Sequence, residues 1–237
     1  MITVVVAPGH LAAGVAVPVP EEEVHHLRVR RGAATDPVRV VDGRGTVATG
    51  ALEWQGKDAA VRVEHTEQVP APVPLVVAVG AGDRERFLAL IEKATELGAT
   101  LVVPLATERA ASVATGVRAS HRPRLSRRAL EALKQCGGAW VPEVAPPEDL
   151  THFLARPLPA ARWLADQGGS DVPKGGAGPL ALAVGPEGGF TTEERDRLVA
   201  AGFTPVRFGP NILRFDTAVT AALTAAWLAR QRETHGR

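Results

Sequence analysis

Residues 182–194 read LAVGPEGGFTTEE. An apolar run that opens at Leu180 stops at Gly185-Pro186 and passes Glu187 between small residues. Regular structure resumes at Thr191, where Glu194 stands three positions on. A Thr whose side chain can meet the backbone three residues ahead, with a Glu there to reach back, is a capping box. The stretch therefore reads as buried strand, tight turn, then helix, and Gly202 is placed to end that helix. Working outward, the same alternation recurs. LVVAVG (75–80), LVVPL (101–105), RWLAD (162–166), LALAVG (180–185) and TPVRF (204–208) are strand-like. Between them, Asp83 can cap a helix carrying Phe87, Leu90, Ile91, Ala94 and Leu97 inward, ended by Gly98. A second helix carries Leu125, Ala129, Leu130 and Leu133, and Asp216 or Thr217 opens an Ala-rich last helix through Leu223 and Trp227. Strands alternating with helices predict an α/β domain with a mostly parallel sheet. Residues 168–179, GGSDVPKGGAGP, read as a loop by composition.

Upstream the character changes. QVPAPVPL (68–75) has three prolines in five residues, a stiff connector that neither helix nor central strand continues through. Before it, Pro20 followed by three glutamates reads as a first helical turn, burying Val24 and Leu27. The segment 42–45, DGRG, sits between alternating apolar runs, a hairpin signal. The expected organisation is a small β-barrel-like domain over 1–70 and an α/β domain over 71–237.

Composition narrows the function classes. The chain has 237 residues, 45% hydrophobic and 22% charged, with a formal net charge of +1. That balance predicts a packed core and confines any RNA surface to local patches. One such patch is Arg122, Arg124, Arg127 and Arg128, on a segment with Arg118 and Lys134 and only Glu131 against them. A second is Arg28, Arg30 and Arg31. Such residues serve phosphate contact. Cys136 is the single cysteine, which excludes an intrachain disulfide. It is expected in the core or at a helix end. The opening MITVVVAPGH lacks a basic stretch followed by a long apolar one, so no secretory signal is expected; no run of ~18 apolar residues without charges occurs, so no membrane span is expected; and with a single cysteine a cytoplasmic setting fits. His25 and His26 are adjacent and diverge on a helix, so no metal site is expected.

In parallel α/β sheets ligands bind beyond the carboxyl ends of strands. Gly185 to Gly189 and Gly209 to Arg214 occupy two such ends, and glycines there let a ligand approach the backbone. Neither a P-loop nor G-x-G-x-x-G is present. Glu187 in a turn without a cation suits a neutral or cationic ligand.

Four segments, HHLRVRRG (25–32), EKATELGATLVVPLATERAAS (92–112), AVGPEGGFTTEE (183–194) and FGPNILRFDTAV (208–219), together resemble the bacterial ribosomal small subunit methyltransferase E family. The resemblance implies a PUA-like β-barrel followed by a SPOUT-type domain with a trefoil knot. It also implies a homodimer and S-adenosyl-L-methionine as cofactor, with methylation at N3 of one uridine in 16S ribosomal RNA. Gly185, Pro186, Glu187, Gly188, Gly189, Phe208, Gly209, Ile212, Leu213 and Arg214 then line the cofactor pocket, with Leu164. Arg214 and Asp216 are the catalytic candidates, to hold the uridine anion and to take its proton; Asp216 also reads as a plain helix N-cap, satisfying free amides. Arg109, in TERAAS, matches a family position, which leaves it either facing the substrate RNA or structural. Two departures stand out. The family's I-L-R-T-E-T-A is here Ile212 to Ala218 with Phe215 and Asp216. Its A-E-Q-[SC]-G-R stretch is Ala132 to Gly138 without the acid and the arginine. The alternatives are a non-catalytic RNA-binding ribosome assembly factor and a SPOUT methyltransferase acting on tRNA or on a ribose 2′-oxygen. A nicotinamide oxidoreductase ranks last, its phosphate fingerprint being missing.

Overall fold

The computed structural model describes residues 2–9, 11–29, 37–111, 114–173 and 178–234. In chain order the elements are β1 (Ile2–Val5), β2 (Ala16–Pro18), α1 (Glu21–Val29), β3 (Pro37–Val41), β4 (Thr46–Gln55), β5 (Asp58–Gln68), β6 (Leu75–Gly80), α2 (Arg84–Glu96), β7 (Leu101–Ala106), α3 (Glu108–Ala111), α4 (Arg122–Cys136), β8 (Glu143–Val144), β9 (Glu148–Asp149), α5 (Leu150–Leu154), β10 (Ala161–Ser170), β11 (Leu180–Val184), α6 (Thr192–Ala200), β12 (Thr204–Val206) and α7 (Phe215–Thr234). They form two compact units, one of Met1–Pro72 with Leu130–Val141, the other of Val73–Ala129 with Pro142–Arg237.

The first unit holds a five-stranded sheet in the order β1-β3-β4-β5-β2 among the described residues. All its pairings are antiparallel except β1 with β3. Val4, Val38, Val40, Leu52, Val61 and Val63 fill its core, and α1 adds Val24 and Leu27 to it. The DGRG segment is the β3–β4 turn. Asp42 is buried there and accepts from the backbone N–H of Arg44 at 2.7 Å and of Thr46 at 2.9 Å. Gly43 and Gly45 both have positive φ, the conformation a short hairpin turn asks for. Residues 130–141, which the pattern along the chain had not tied to this unit, join it through Leu133 and Ala139 against Val41 and Val47. Trp140 also donates to the Val69 carbonyl at 3.0 Å.

The second unit is α/β. Its sheet runs β12-β10-β11-β6-β7-β8, with β9 also on β7, and every pairing is parallel. β6 and β11 are buried along their whole length, as strands covered on both faces must be. Val76, Ala78, Val103, Leu105, Ala181 and Ala183 meet Phe153, Leu198 and Phe203 on one face, and α7 packs against α2 and β11. Asp83 caps α2 by accepting from Glu85 and Arg86 N–H, and the Thr191–Glu194 capping box opens α6. No helix among the described residues is long and apolar enough to cross a membrane.

Two expectations are corrected. Residues 168–170 are not loop: β10 continues through Ser170, its register against β12 shifting between Ala165 and Ser170. Gly169 permits this, since a Cβ there would lie 2.4 Å from the Pro205 carbonyl carbon. The last helix begins at Phe215 rather than at Asp216 or Thr217. Phe215 is buried, which draws the first turn one residue earlier and puts Asp216 inside it rather than at its cap. Loss of the two turn bonds in Asp42→Ala is expected to destabilise the first unit by about 2–3 kcal/mol. A lower urea midpoint at unchanged m would report it, and an unchanged midpoint would refute it.

Candidate functional site

The strands β10, β11 and β12 are neighbours and parallel, so their carboxyl ends open on one side. A cleft of about 410 Å³ lies there, lined by the segments that leave those strands and by the start of α7. Its size falls within the ~300–1,000 Å³ typical of small-molecule sites. It brings together the whole predicted cofactor set except Gly209 and Arg214: Leu164, Gly185 to Gly189, Phe208, Ile212 and Leu213 all line it. Gly209 instead borders a separate pocket of about 440 Å³ with Asp171, Arg207 and Pro210 and packs on Leu213, where a Cβ would come within 3.2 Å. The Arg214 side chain is exposed and lies between two lining residues, Leu213 and Phe215. Asp216, also exposed, follows them.

Further lining residues escaped the sequence reading, among them Asp166, Gln167, Phe190, Arg195, Arg207 and Phe215. Asp166, Gln167 and Arg207 follow from the strand-end rule already applied to the two glycine turns. Phe215 carries no such signal, because its departure from the family motif hid an apolar wall. Phe208 is braced by the buried Trp163, ring centroids 6.3 Å apart. Gln167 Nε2 donates to the Pro210 carbonyl at 3.3 Å, joining the ends of two strands. Ile212 is 87% exposed, an apolar side chain at the rim with little protein over it.

The turn at 186–189 closes with Gly189 N–H donating to Pro186 O at 2.8 Å. Its glycines make room for protein rather than for a ligand. A Cβ on Gly185 would lie 2.9 Å from Phe190 N, and one on Gly188 would lie 3.2 Å from Arg109 Cδ. Arg109 Nη1 donates to the carbonyls of Gly188 and Phe190. Glu108 N–H donates to Glu194 Oε1 at 2.8 Å.

The charges in the cleft are largely matched. Arg195 Nε meets Asp166 Oδ2 at 2.6 Å and Arg207 Nε meets Asp171 Oδ1 at 2.8 Å. Glu187 has Arg86 at 3.9 Å. Burial works to raise the Asp166 carboxyl, but the Arg195 hydrogen bond, the Gly168 N–H and the Arg195 charge outweigh it. They hold it below the ordinary carboxylate range.

The predicted RNA residues are spread. Arg28 donates to Gly56 O at 3.1 Å and lies 5.4 Å over the Trp54 ring. Arg30 and Arg31 lie outside the described residues. On α4, Arg122 Nε donates to Val144 O at 2.8 Å. Arg124 pairs with Glu85 at 3.2 Å and Arg128 with Glu92 at 2.8 Å. Arg127 is exposed. Lys134 meets Glu23 at 2.6 Å. The positive face read along the helix thus finds acids from α2 and α1.

Over residues 69–227 the chain matches the RNA methyltransferase domain family. It is 34% identical over 232 residues to the ribosomal RNA small subunit methyltransferase E of Synechocystis sp., covering 92% of this chain and 75% of that protein. It is 30% identical to the protein of the same name from Bacillus subtilis, covering 86% of each. Among solved structures it is similar to the ribosomal RNA small subunit methyltransferase E of Neisseria gonorrhoeae bound to S-adenosyl methionine. There the TM-score is 0.86 at 27% identity, over 95% of this chain and 96% of that one. The chain belongs to the ribosomal RNA small subunit methyltransferase E family.

Because the folded Asp166 carboxyl titrates below the unfolded value of about 3.9, its stabilising effect is complete above that value. It is lost as pH falls through the lower folded value. Asp166→Asn is expected to be less stable than wild type at pH 7, the difference closing on acidification below about pH 4. Urea unfolding across pH checks this, and a difference independent of pH would refute it.

Proposed function

We propose that the chain uses S-adenosyl-L-methionine to methylate N3 of one uridine in 16S ribosomal RNA, with the cleft beyond β10, β11 and β12 as the donor site. The observation that carries the reading is the convergence of the 185–189 turn with Phe208, Ile212 and Leu213 on that one cleft. The donor set fits the molecule. Apolar walls and backbone groups suit a nucleoside. The two lining arginines are engaged by carboxylates, so the cleft is not built to grip a polyphosphate, and Asp166 and Glu187 tolerate a cation. Gly185 to Gly189, Phe208, Ile212, Leu213 and Leu164 would hold the donor, with Gly209 packed behind Leu213. Bound there, it supplies a methyl group on an already activated sulfonium.

The chain's own task is to present an unpaired uridine whose N3 has lost its proton. Arg214, exposed beside the cleft, stabilises the anion, and Asp216, two residues on, takes the proton. The small sheet unit acts as a PUA-like RNA-binding part. Arg28, Arg30 and Arg31 on it, with Arg122, Arg124, Arg127 and Arg128 on the larger unit, contact phosphates. The strand order, with β12 beyond β10 and α7 returning onto β11, supports a knotted C-terminal segment. The protein works as a homodimer in the cytoplasm. Exposed Trp227 and Leu228 on α7 support a partner on that helix.

Calorimetry should show S-adenosylhomocysteine binding once per chain; no heat at millimolar ligand would refute the donor site. Mass spectrometry of digested RNA, after incubation of the chain with donor and unmethylated 16S ribosomal RNA, should find N3-methyluridine. A ribose methyl would favour another target class, and bound but unmodified RNA an assembly factor. Arg214→Ala is expected to lower kcat by about 10²–10³.

A further inference from the structure

We infer that Arg109 is a positioning residue for the cleft, acting through the 186–190 turn rather than on the RNA. This rests on the donor-site reading above and adds to it the device that shapes one wall. Arg109 stands on α3, just beyond β7, a different strand end from those that frame the cleft. Its Nη1 donates to the carbonyls of Gly188 and Phe190. A peptide group is planar, so fixing its carbonyl fixes the amide on its other side. The Gly188–Gly189 peptide is held at both ends, by Arg109 at the carbonyl and by Gly189 N–H on Pro186 O. The Phe190–Thr191 peptide is held likewise, by Arg109 and by Thr191 N–H on Glu194 Oε2 at 2.9 Å. The Gly189–Phe190 peptide between them is thereby oriented, and with it Phe190, which lines the cleft.

The stem of Arg109 contributes as well as its head. A Cβ on Gly188 would lie 3.2 Å from Arg109 Cδ and 3.4 Å from its Cβ, so the aliphatic chain packs on the turn where Gly188 leaves room for it. The neighbouring Glu108 N–H on Glu194 Oε1 ties the same short helix to the start of α6. A charged donor on two carbonyls is among the stronger hydrogen-bonding arrangements.

The test compares Arg109→Ala and Arg109→Lys with wild type. The side chain is at the surface, so both variants should melt close to wild type. Arg109→Ala is expected to weaken S-adenosylhomocysteine binding by about tenfold or more. KM for the donor should rise while kcat at saturation is largely kept. Arg109→Lys, whose ammonium lacks the planar fork, should recover part of the affinity. The slope of log affinity for unmethylated 16S ribosomal RNA against log salt should stay as in wild type. Wild-type affinity for S-adenosylhomocysteine in Arg109→Ala would overturn the inference, as would a salt slope reduced by about one, the mark of a lost phosphate contact. If wild type itself binds no S-adenosylhomocysteine, the donor-site reading falls first and this inference with it.

Discussion

The cleft exists because two strand ends meet backbone to backbone. β6 ends at Gly80, and β11, its parallel neighbour, passes directly into Gly185-Pro186. A Cβ on Gly80 would lie 2.3 Å from the nitrogen of Pro186, and one on Gly82 would lie 2.2 Å from a carboxylate oxygen of Glu187. The first is a clash with backbone, so any side chain at Gly80 would lift the turn off the sheet; the second is with the end of a flexible side chain, so a side chain at Gly82 would displace the Glu187 carboxylate instead. Gly185 repeats the constraint within the turn, where Phe190 N occupies the space of its absent Cβ. With the turn pressed down on β6, β10 and β12 on the other side of β11 are free to end in an opening, and that opening is the cleft. The glycines let protein approach protein, and the room they leave for a ligand is a consequence at one remove.

Charge then decides what such an opening can hold. Its arginines are opposed by Asp166 and Asp171, but the two pairs are not equivalent. Asp171 is largely exposed and Asp166 largely covered. The exposed pair is worth little and opens readily. The Asp166 pair is better shielded, and its carboxylate also accepts from Gly168 N–H at 2.8 Å. That bond sits in the register shift of β10, so the charge pair and the bend that carries the strand past Gly169 belong to one piece of structure. Discrimination in such a site falls to shape and to backbone hydrogen bonds, which are indifferent to net charge.

Much of this was legible in the chain because the signals are local. Asp83 and the Thr191–Glu194 box act within one turn of helix, and the DGRG turn within four residues. The buried strands declare themselves by unbroken apolar runs. The glycine turns fell into place once strand ends were known. What was not legible depends on distant partners. Nothing near Leu133 or Trp140 says that 130–141 belongs with Val41 and Val69. Arg195 and Asp166 are 29 residues apart, and Arg109 and Gly188 are 79 apart. Gly168 and Gly169 read as loop because composition cannot tell a flexible glycine from one that lets another strand pass. α3 and α5, of four and five residues, are too short to impose a period.

The arginines of α4 show the same limit in electrostatics. Counted along the helix they are nearly unopposed, yet Glu85 and Glu92, two turns apart on α2, meet Arg124 and Arg128, one turn apart on α4. Pairing does not tie such residues down equally. The Arg124 and Arg128 pairs are exposed, and exposed pairs are worth about 0–1 kcal/mol, so a phosphate can replace the carboxylate at little cost. Arg122 is tied to a main-chain carbonyl, and Lys134 retains 14% side-chain exposure against Glu23; neither is exchangeable on the same terms. A chain of formal net charge +1 can thus carry a phosphate-binding face without a strongly positive surface at rest.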